Sequence, residues 1–214
     1  SFSGPASPGS VTLRLTVTGP VGASEDSVTI TFVEPCPSLL DATGCTDAYT
    51  ASVSIDERRA GSEKLKVQWK GFTTATTTAD FGNPVSGSSR YSLCLYGDGA
   101  LAGEFLVERA GASCGGAPCW KASGKGFSYR DRGASADGIR QVSVKPDSAG
   151  GGSAKMRGYN KSSKGLLSLP TGTPVALMSA TDVVMQLRVD DGVCVSSAIG
   201  WTSAKDATRF AGGR

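Results

Sequence analysis

Apolar and polar residues alternate at period two along most of this chain, and that pattern constrains its fold more than any other feature. In "EKLKVQWKG", Leu65, Val67 and Trp69 alternate with Lys64, Lys66, Gln68 and Lys70. Tyr91, Leu93 and Leu95 do the same in "RYSLCLYGDG", as do Phe127 and Tyr129 in "CWKASGKGFSYRDR". In "DVVMQLRVDDG" the apolar set is Val183, Met185, Leu187 and Val189. A period of two matches the pleat of a strand and not the turn of a helix. "DGIRQVSVKP" and "SAKMRGYNK" read as a hairpin across the Gly-rich "DSAGGGS". With 29 glycines to break these segments apart, the expected fold is all-β: an antiparallel sandwich, immunoglobulin-like or jelly-roll-like.

The chain opens on the same pattern. Val11, Leu13, Leu15 and Val17 alternate with threonines and Arg14; after "GPVGASED", Val28, Ile30 and Phe32 resume the alternation. This is an amphipathic hairpin, and a lone hairpin is marginal in water. Covering its apolar side chains would contribute on the order of 10 kcal/mol before the cost of ordering. The covering surface is expected to be either the rest of the chain or a sheet in a neighbouring copy. Residues 1–34 are thus set apart as a hairpin of potential donor strands, 35–62 as a disulfide-stiffened connector with a short strand in "ASVSIDERRA", and 63–214 as the sandwich body.

The body carries an internal echo. Trp69, Gly82 and Pro84 are answered by Tyr159, Gly172 and Pro174 at an offset of 90 residues. "GNPV" and "GTPV" each lead into a strand that ends on Asp-Gly. The expectation is a duplicated strand–loop–strand unit, with the two copies facing each other as the halves of the sandwich.

Six cysteines are present and no histidine. Without histidine, Ser-His-Asp and Cys-His hydrolases are excluded, and so is the commonest metal ligand. The even number and wide scatter of Cys36, Cys45, Cys94, Cys114, Cys119 and Cys194, with no CxxC unit, favour disulfides. That implies an oxidising location, extracellular or at the cell surface. Spacing suggests local loops at Cys114–Cys119 and Cys36–Cys45, leaving Cys94 with Cys194 to close a loop of roughly 100 residues.

Two stretches resemble known families. Residues 10–33 resemble the last two strands of a PKD-type immunoglobulin-like domain, although Gly19 stands where that family carries Asp and its earlier strands are missing. Residues 64–214, from "CWKASGKGFSYRDRGASADGIRQVSVKP" through "LPTGTPVALMSATDVVMQLRVDDGVCV", resemble the C-terminal region of large secreted or surface multidomain proteins of deltaproteobacterial type. That resemblance implies a β-sandwich and a surface location, and no activity.

Candidate chemistry is sparse. Asp-Gly pairs at 98–99, 137–138 and 191–192 read as turns before they read as calcium ligands. The adjacent carboxylates Asp56 and Glu57 would point to opposite strand faces, so they make no acid–base pair. No catalytic residue, cofactor or metal is expected. Trp69 shares the parity of Leu65 and Val67 and belongs to the core, and Trp120 beside Cys119 should pack on a disulfide. Tyr96, Tyr129 and Trp201 remain as candidates to stack on a sugar ring. Lys121, Lys125, Arg130, Arg132, Arg140, Lys145, Lys155 and Arg157 form a basic strip that could attract acidic polysaccharide. Nineteen carboxylates against 22 cations favour reading that strip as a solubilising outer face. A net charge of +3 is too small to imply nucleic acid, and no apolar run is long enough to insert in a membrane. The leading expectation is an extracellular structural or adhesive protein, a filament subunit processed from a longer precursor and joined to its own copies by β-augmentation through Val11, Leu13, Leu15, Val17, Val28, Ile30 and Phe32. The alternative is a non-catalytic module that binds cell-surface glycans or anchors a larger protein.

Overall fold

The structure is a computed structural model that describes residues 9–19, 22–32, 35–59, 61–160, 173–190, 192–206 and 208–214; side chains at 9–19, 22–23, 28–32, 201 and 204–206 are outside the description. The chain divides into two compact units, Ser1–Pro35 and Cys36–Arg214.

In the first unit, β1 (Gly9–Gly19) and β2 (Gly22–Phe32) pair antiparallel as the hairpin expected. The second strand starts earlier than its apolar residues suggest, so most of "GPVGASED" is ladder and not turn. The register sets Val11 opposite Ile30 and Leu13 opposite Val28, but Leu15 opposite Asp26 and Val17 opposite Ser24. The apolar side chains named as assembly strands lie outside the described ones.

The second unit is the all-β antiparallel sandwich. Its strands are β3 (Ala48–Asp56), β4 (Lys64–Phe72), β5 (Tyr91–Gly97), β6 (Ala100–Val107), β7 (Ser113–Cys114), β8 (Ala117–Pro118), β9 (Trp120–Ser123), β10 (Gly126–Arg130), β11 (Ile139–Lys145) and β12 (Ser153–Tyr159). After the short helix α1 (Thr173–Ser179) come β13 (Val183–Val189), β14 (Cys194–Ile199), β15 (Trp201–Asp206) and β16 (Arg209–Gly213). An eight-stranded sheet in the order β15-β16-β3-β4-β12-β11-β10-β9 packs on a four-stranded sheet in the order β14-β13-β5-β6. "CWKASGKGFSYRDR" is not one strand but the hairpin β9–β10. Residues 35–62 are no mere connector, because β3 lies inside the large sheet between β16 and β4.

Cross-strand register builds the core from the alternation. Val53, Val67, Met156, Val142, Tyr129 and Trp120 are successive partners across the large sheet, and all are buried. The small sheet answers with Leu93, Leu95, Phe105, Met185, Leu187 and Val195. Trp69 is fully buried, as its parity required.

One strand departs from alternation: every residue from Tyr91 to Tyr96 is buried. The reason is a strap, residues 36–46, laid over the outer face of the small sheet. Cys36 is bonded to Cys94 on β5 and Cys45 to Cys194 on β14. Between them Leu101 N–H donates to the Ser38 carbonyl, and the Gln186 side chain on β13 donates to the Asp41 carbonyl. Thr46 then forms a parallel bridge to Val195. The pairing of Cys36 with Cys45, and of Cys94 with Cys194, is therefore corrected. The segment between Cys36 and Cys45 is stretched across all four strands of the small sheet rather than curled into a loop. Cys114–Cys119 does close the small β7–β8 turn, as spacing indicated.

The strand order is symmetric. Exchanging β3, β4, β5, β6, β9 and β10 for β11, β12, β13, β14, β15 and β16 reverses the order of both sheets and changes nothing else. This topology is that of a duplication whose copies lie side by side, meeting at the β4–β12 and β5–β13 seams. The copies do not face each other as two halves of a sandwich, because each contributes strands to both sheets. Each also lends its last hairpin to the other: β10 pairs with β11, and β16 with β3. The match of Trp69 with Tyr159 fails, since Trp69 is core and the Tyr159 ring lies outside at 38% exposure beneath Arg140.

Removing the first strap disulfide as Cys36→Ser/Cys94→Ser should lower unfolding free energy by about 4 kcal/mol, the loop-closure value for 58 residues. Denaturant titration measures it. Unreduced peptide mapping should recover Cys36 joined to Cys94 and Cys45 joined to Cys194.

Candidate functional site

The register that lines the core also lines the outside of the large sheet. Ser52, Gln68, Lys155, Ser143, Ser128 and Lys121 are successive partners on β3, β4, β12, β11, β10 and β9. One step along the strands the row is Ser54, Lys66, Arg157, Gln141 and Arg130. One step the other way it is Thr50, Lys70, Ser153 and Lys145. Lys64 continues the β4 column, opposite Tyr159. A trough of about 580 Å³ runs across β4, β12, β11, β10 and β9, with Gln68, Ser143 and Ser128 in its floor and Arg130, Lys145, Lys155 and Lys121 along it.

Every charged residue in those three rows is a cation. No ion pair joins any of them to a carboxylate among the described residues. The acid nearest in register is Asp56, opposite Lys64. Its carboxylate accepts two hydrogen bonds from the Arg58 guanidinium at 2.9 and 2.6 Å, which, chiefly, pull its pKa down to about 2. It is a satisfied anion and offers the face little neutralisation. Lys155, half-buried at the middle of the face, is held below its ordinary pKa by desolvation and then by the charges of Arg157, Lys66 and Lys70. The Nε–H of Arg157 is buried and has no hydrogen-bond partner among the described residues. These cations thus repel one another with no carboxylate among the described residues paired to them.

The basic strip read from the sequence is thus partly right. Lys121, Arg130, Lys145, Lys155 and Arg157 do share this face. Arg140 does not: a bulge between Ile139 and Gln141 turns it into the structure, where it donates to the Tyr159 and Arg132 carbonyls. Lys125 lies in the β9–β10 turn, and Arg132 follows β10. The strip also omitted Lys64, Lys66 and Lys70. Their outward parity was plain; that β4 and β12 would be neighbours was not.

The aromatic candidates fare differently. Tyr96 is fully buried under the strap, its hydroxyl donating to the Pro37 carbonyl at 3.1 Å. Tyr129 is 2% exposed and packs its ring on Trp120 with centroids 5.2 Å apart. Neither can stack on a sugar. Trp201 sits opposite Gly213 on β15, and its side chain lies outside the described ones. Two of the Asp-Gly turns spend their carboxylates on backbone: Asp98 accepts from Thr181 and Asp182, and Asp137 from Leu106, while Asp191 lies outside the described residues. Asp190 is held by Arg90. No group of three or more metal-ligating residues occurs among those described.

Asp131 secures the near end of the face, where β10 turns toward β11. Its buried carboxylate accepts from Gly133 N–H, Ser135 N–H, the Ser135 hydroxyl and the Tyr129 hydroxyl. Although desolvation opposes it, this set keeps the Asp131 carboxyl below its ordinary pKa.

No helix among the described residues is long and apolar enough to cross a membrane. Compared with known proteins, the chain matches no family model, no curated protein and no solved structure. The two resemblances noted above therefore rest on the quoted residues alone.

If the face cations serve no structural purpose, neutralising them relieves repulsion. Lys155→Gln should melt at the wild-type temperature or above it, by differential scanning calorimetry. Val67→Ala, one residue from Gln68 but on the core side, should lose about 2 kcal/mol or more.

Proposed function

We propose that this chain is a non-catalytic extracellular module that binds an acidic polysaccharide across its large sheet. One observation carries the reading: the cations of β4, β12, β11, β10 and β9 share one face with serine and glutamine and with no free carboxylate. Lysines scattered at sheet edges keep a protein soluble, but all of these except Lys121 occupy interior strands, and those of β4 and β12 crowd one another. The three disulfides belong to an oxidising environment, which favours a glycan over an intracellular polyanion. The trough offers no exposed aromatic platform among its described residues, so recognition runs through charge and hydrogen bonds rather than ring stacking.

Heparin and polygalacturonate serve as sulfated and carboxylated probes in surface plasmon resonance. Affinity should fall roughly tenfold or more from low to physiological salt as screening sets in. The triple variant Lys66→Glu/Lys155→Glu/Arg157→Glu should bind neither, while Lys125→Glu binds both. A wild-type protein indifferent to both polymers at low salt rejects the reading.

A second reading rests on the N-terminal ribbon. Its ladder runs through all eleven residues of each strand, in a compact unit of its own. A two-stranded ribbon of that length is stabilised by joining a further sheet, and we propose that copies of the chain supply it. Light scattering and negative-stain imaging should show concentration-dependent assemblies that Leu13→Asp/Ile30→Asp abolishes. A protein that stays monomeric at high concentration excludes this second role and leaves the first intact.

A further inference from the structure

We infer that the β4–β12 seam holds a discrete oxyanion subsite, in which Lys66, Lys155 and Arg157 grip one sulfate or phosphate ester of the bound polymer. This rests on the polysaccharide reading above and sharpens it. Arg157 lies directly opposite Lys66, and Lys155 directly opposite Gln68, in a continuous antiparallel ladder. Direct partners place their Cβ atoms about 5 Å apart, and diagonal neighbours about 7–8 Å. Three long cationic side chains therefore start from three corners of a compact four-residue patch, with Gln68 as its uncharged fourth corner, within reach of one tetrahedral anion.

The number and kind of donors select the ligand group. A carboxylate has two oxygens, and one guanidinium fork satisfies both. An ester of sulfate or phosphate presents three terminal oxygens on a tetrahedron, one for each of the three side chains. Arg157 keeps a buried Nε–H without a partner among the described residues, a cost that is removed once the guanidinium turns outward to meet an oxyanion. The depressed pKa of Lys155, caused by desolvation and then by Arg157, Lys66 and Lys70, reports the same crowding, which an anion seated among the three side chains relieves. The seam is also where the two copies of the duplicated unit meet. Lys66 comes from one and Lys155 and Arg157 from the other, so neither copy alone contains the subsite.

The test measures binding of three size-matched hexasaccharides by calorimetry: a heparin fragment, an oligogalacturonate and a phosphorylated mannan fragment. Arg157→Gln and Lys66→Gln, checked for folding by circular dichroism, should each weaken the ester-bearing ligands at least about tenfold, the worth of a charge-assisted hydrogen bond. Both should change oligogalacturonate about threefold or less, as should Lys125→Gln, in the β9–β10 turn off the face, with any ligand. Whichever ester shows the larger loss names the group. The Lys155 Nζ resonance should titrate at higher pH with the ester bound. Equal losses from Lys125→Gln and Arg157→Gln, or equal losses for carboxylated and esterified ligands, overturn the subsite and leave the polymer reading standing. If no hexasaccharide or parent polymer binds, the polymer reading itself falls. Tighter binding of a single-stranded oligonucleotide than of any glycan reassigns the face and overturns the proposal.

Discussion

The register of the eight-stranded sheet is the constraint on which everything else depends. One set of backbone pairings sets Val53, Val67, Met156, Val142, Tyr129 and Trp120 side by side against the core. The same set lines up Ser52, Gln68, Lys155, Ser143, Ser128 and Lys121 on the other face. A slip of one residue between β4 and β12 would bring Lys155 and Arg157 into the interior and expose Met156. The burial of that apolar row thus fixes the position of the cations. The cationic face costs no separate device to hold it, and its repulsion is outweighed by packing on the reverse side.

The small sheet solves a different problem. Four strands packed on eight leave an outer face to cover, and here residues 36–46 cover it, with Cys36–Cys94 and Cys45–Cys194 as the fixed points. Cys36, Cys94 and Tyr96 form a minor apolar cluster beneath it, joined by Leu40, Leu101 and Val184. Two covalent bonds hold a segment that has few apolar side chains of its own. With the small sheet enclosed on both faces, the outer surface of the large sheet is the broad open one, and the trough lies there.

The symmetric strand order gives the arrangement a physical logic. Each copy of the repeated unit has an edge at its first strand and a final hairpin with unpaired groups. Exchanging those hairpins, β10 onto β11 and β16 onto β3, satisfies both. The exchange lengthens the large sheet to eight strands, wide enough for a polymer to lie across several of them. It also brings β4 and β12 together at the centre, so the densest charge falls where the copies meet.

Much of this was legible in the residues. Period two identified the strands and their inward sets in Leu65–Val67–Trp69 and Val183–Met185–Leu187–Val189, because a pleated strand buries one parity only. The lack of histidine and the cysteine content excluded broad classes of chemistry for the same local reason: they depend on which groups are present, not on where they go. The tertiary structure alone decided which strands are neighbours, and three outcomes follow from that. It decided the disulfide partners, since spacing cannot tell a curled segment from one stretched over a sheet. It buried Tyr96, because a strap covers a position whose local pattern looks open, and it placed Tyr129, whose alternation with Phe127 already pointed inward, against Trp120 in the core. It also separated the charges: sequence totals average 22 cations against 19 carboxylates over the whole chain, whereas pairing β4 with β12 gathers Lys66, Lys155 and Arg157 on one face. Alternation assigns a residue to a face; long-range hydrogen bonding chooses the residue beside it.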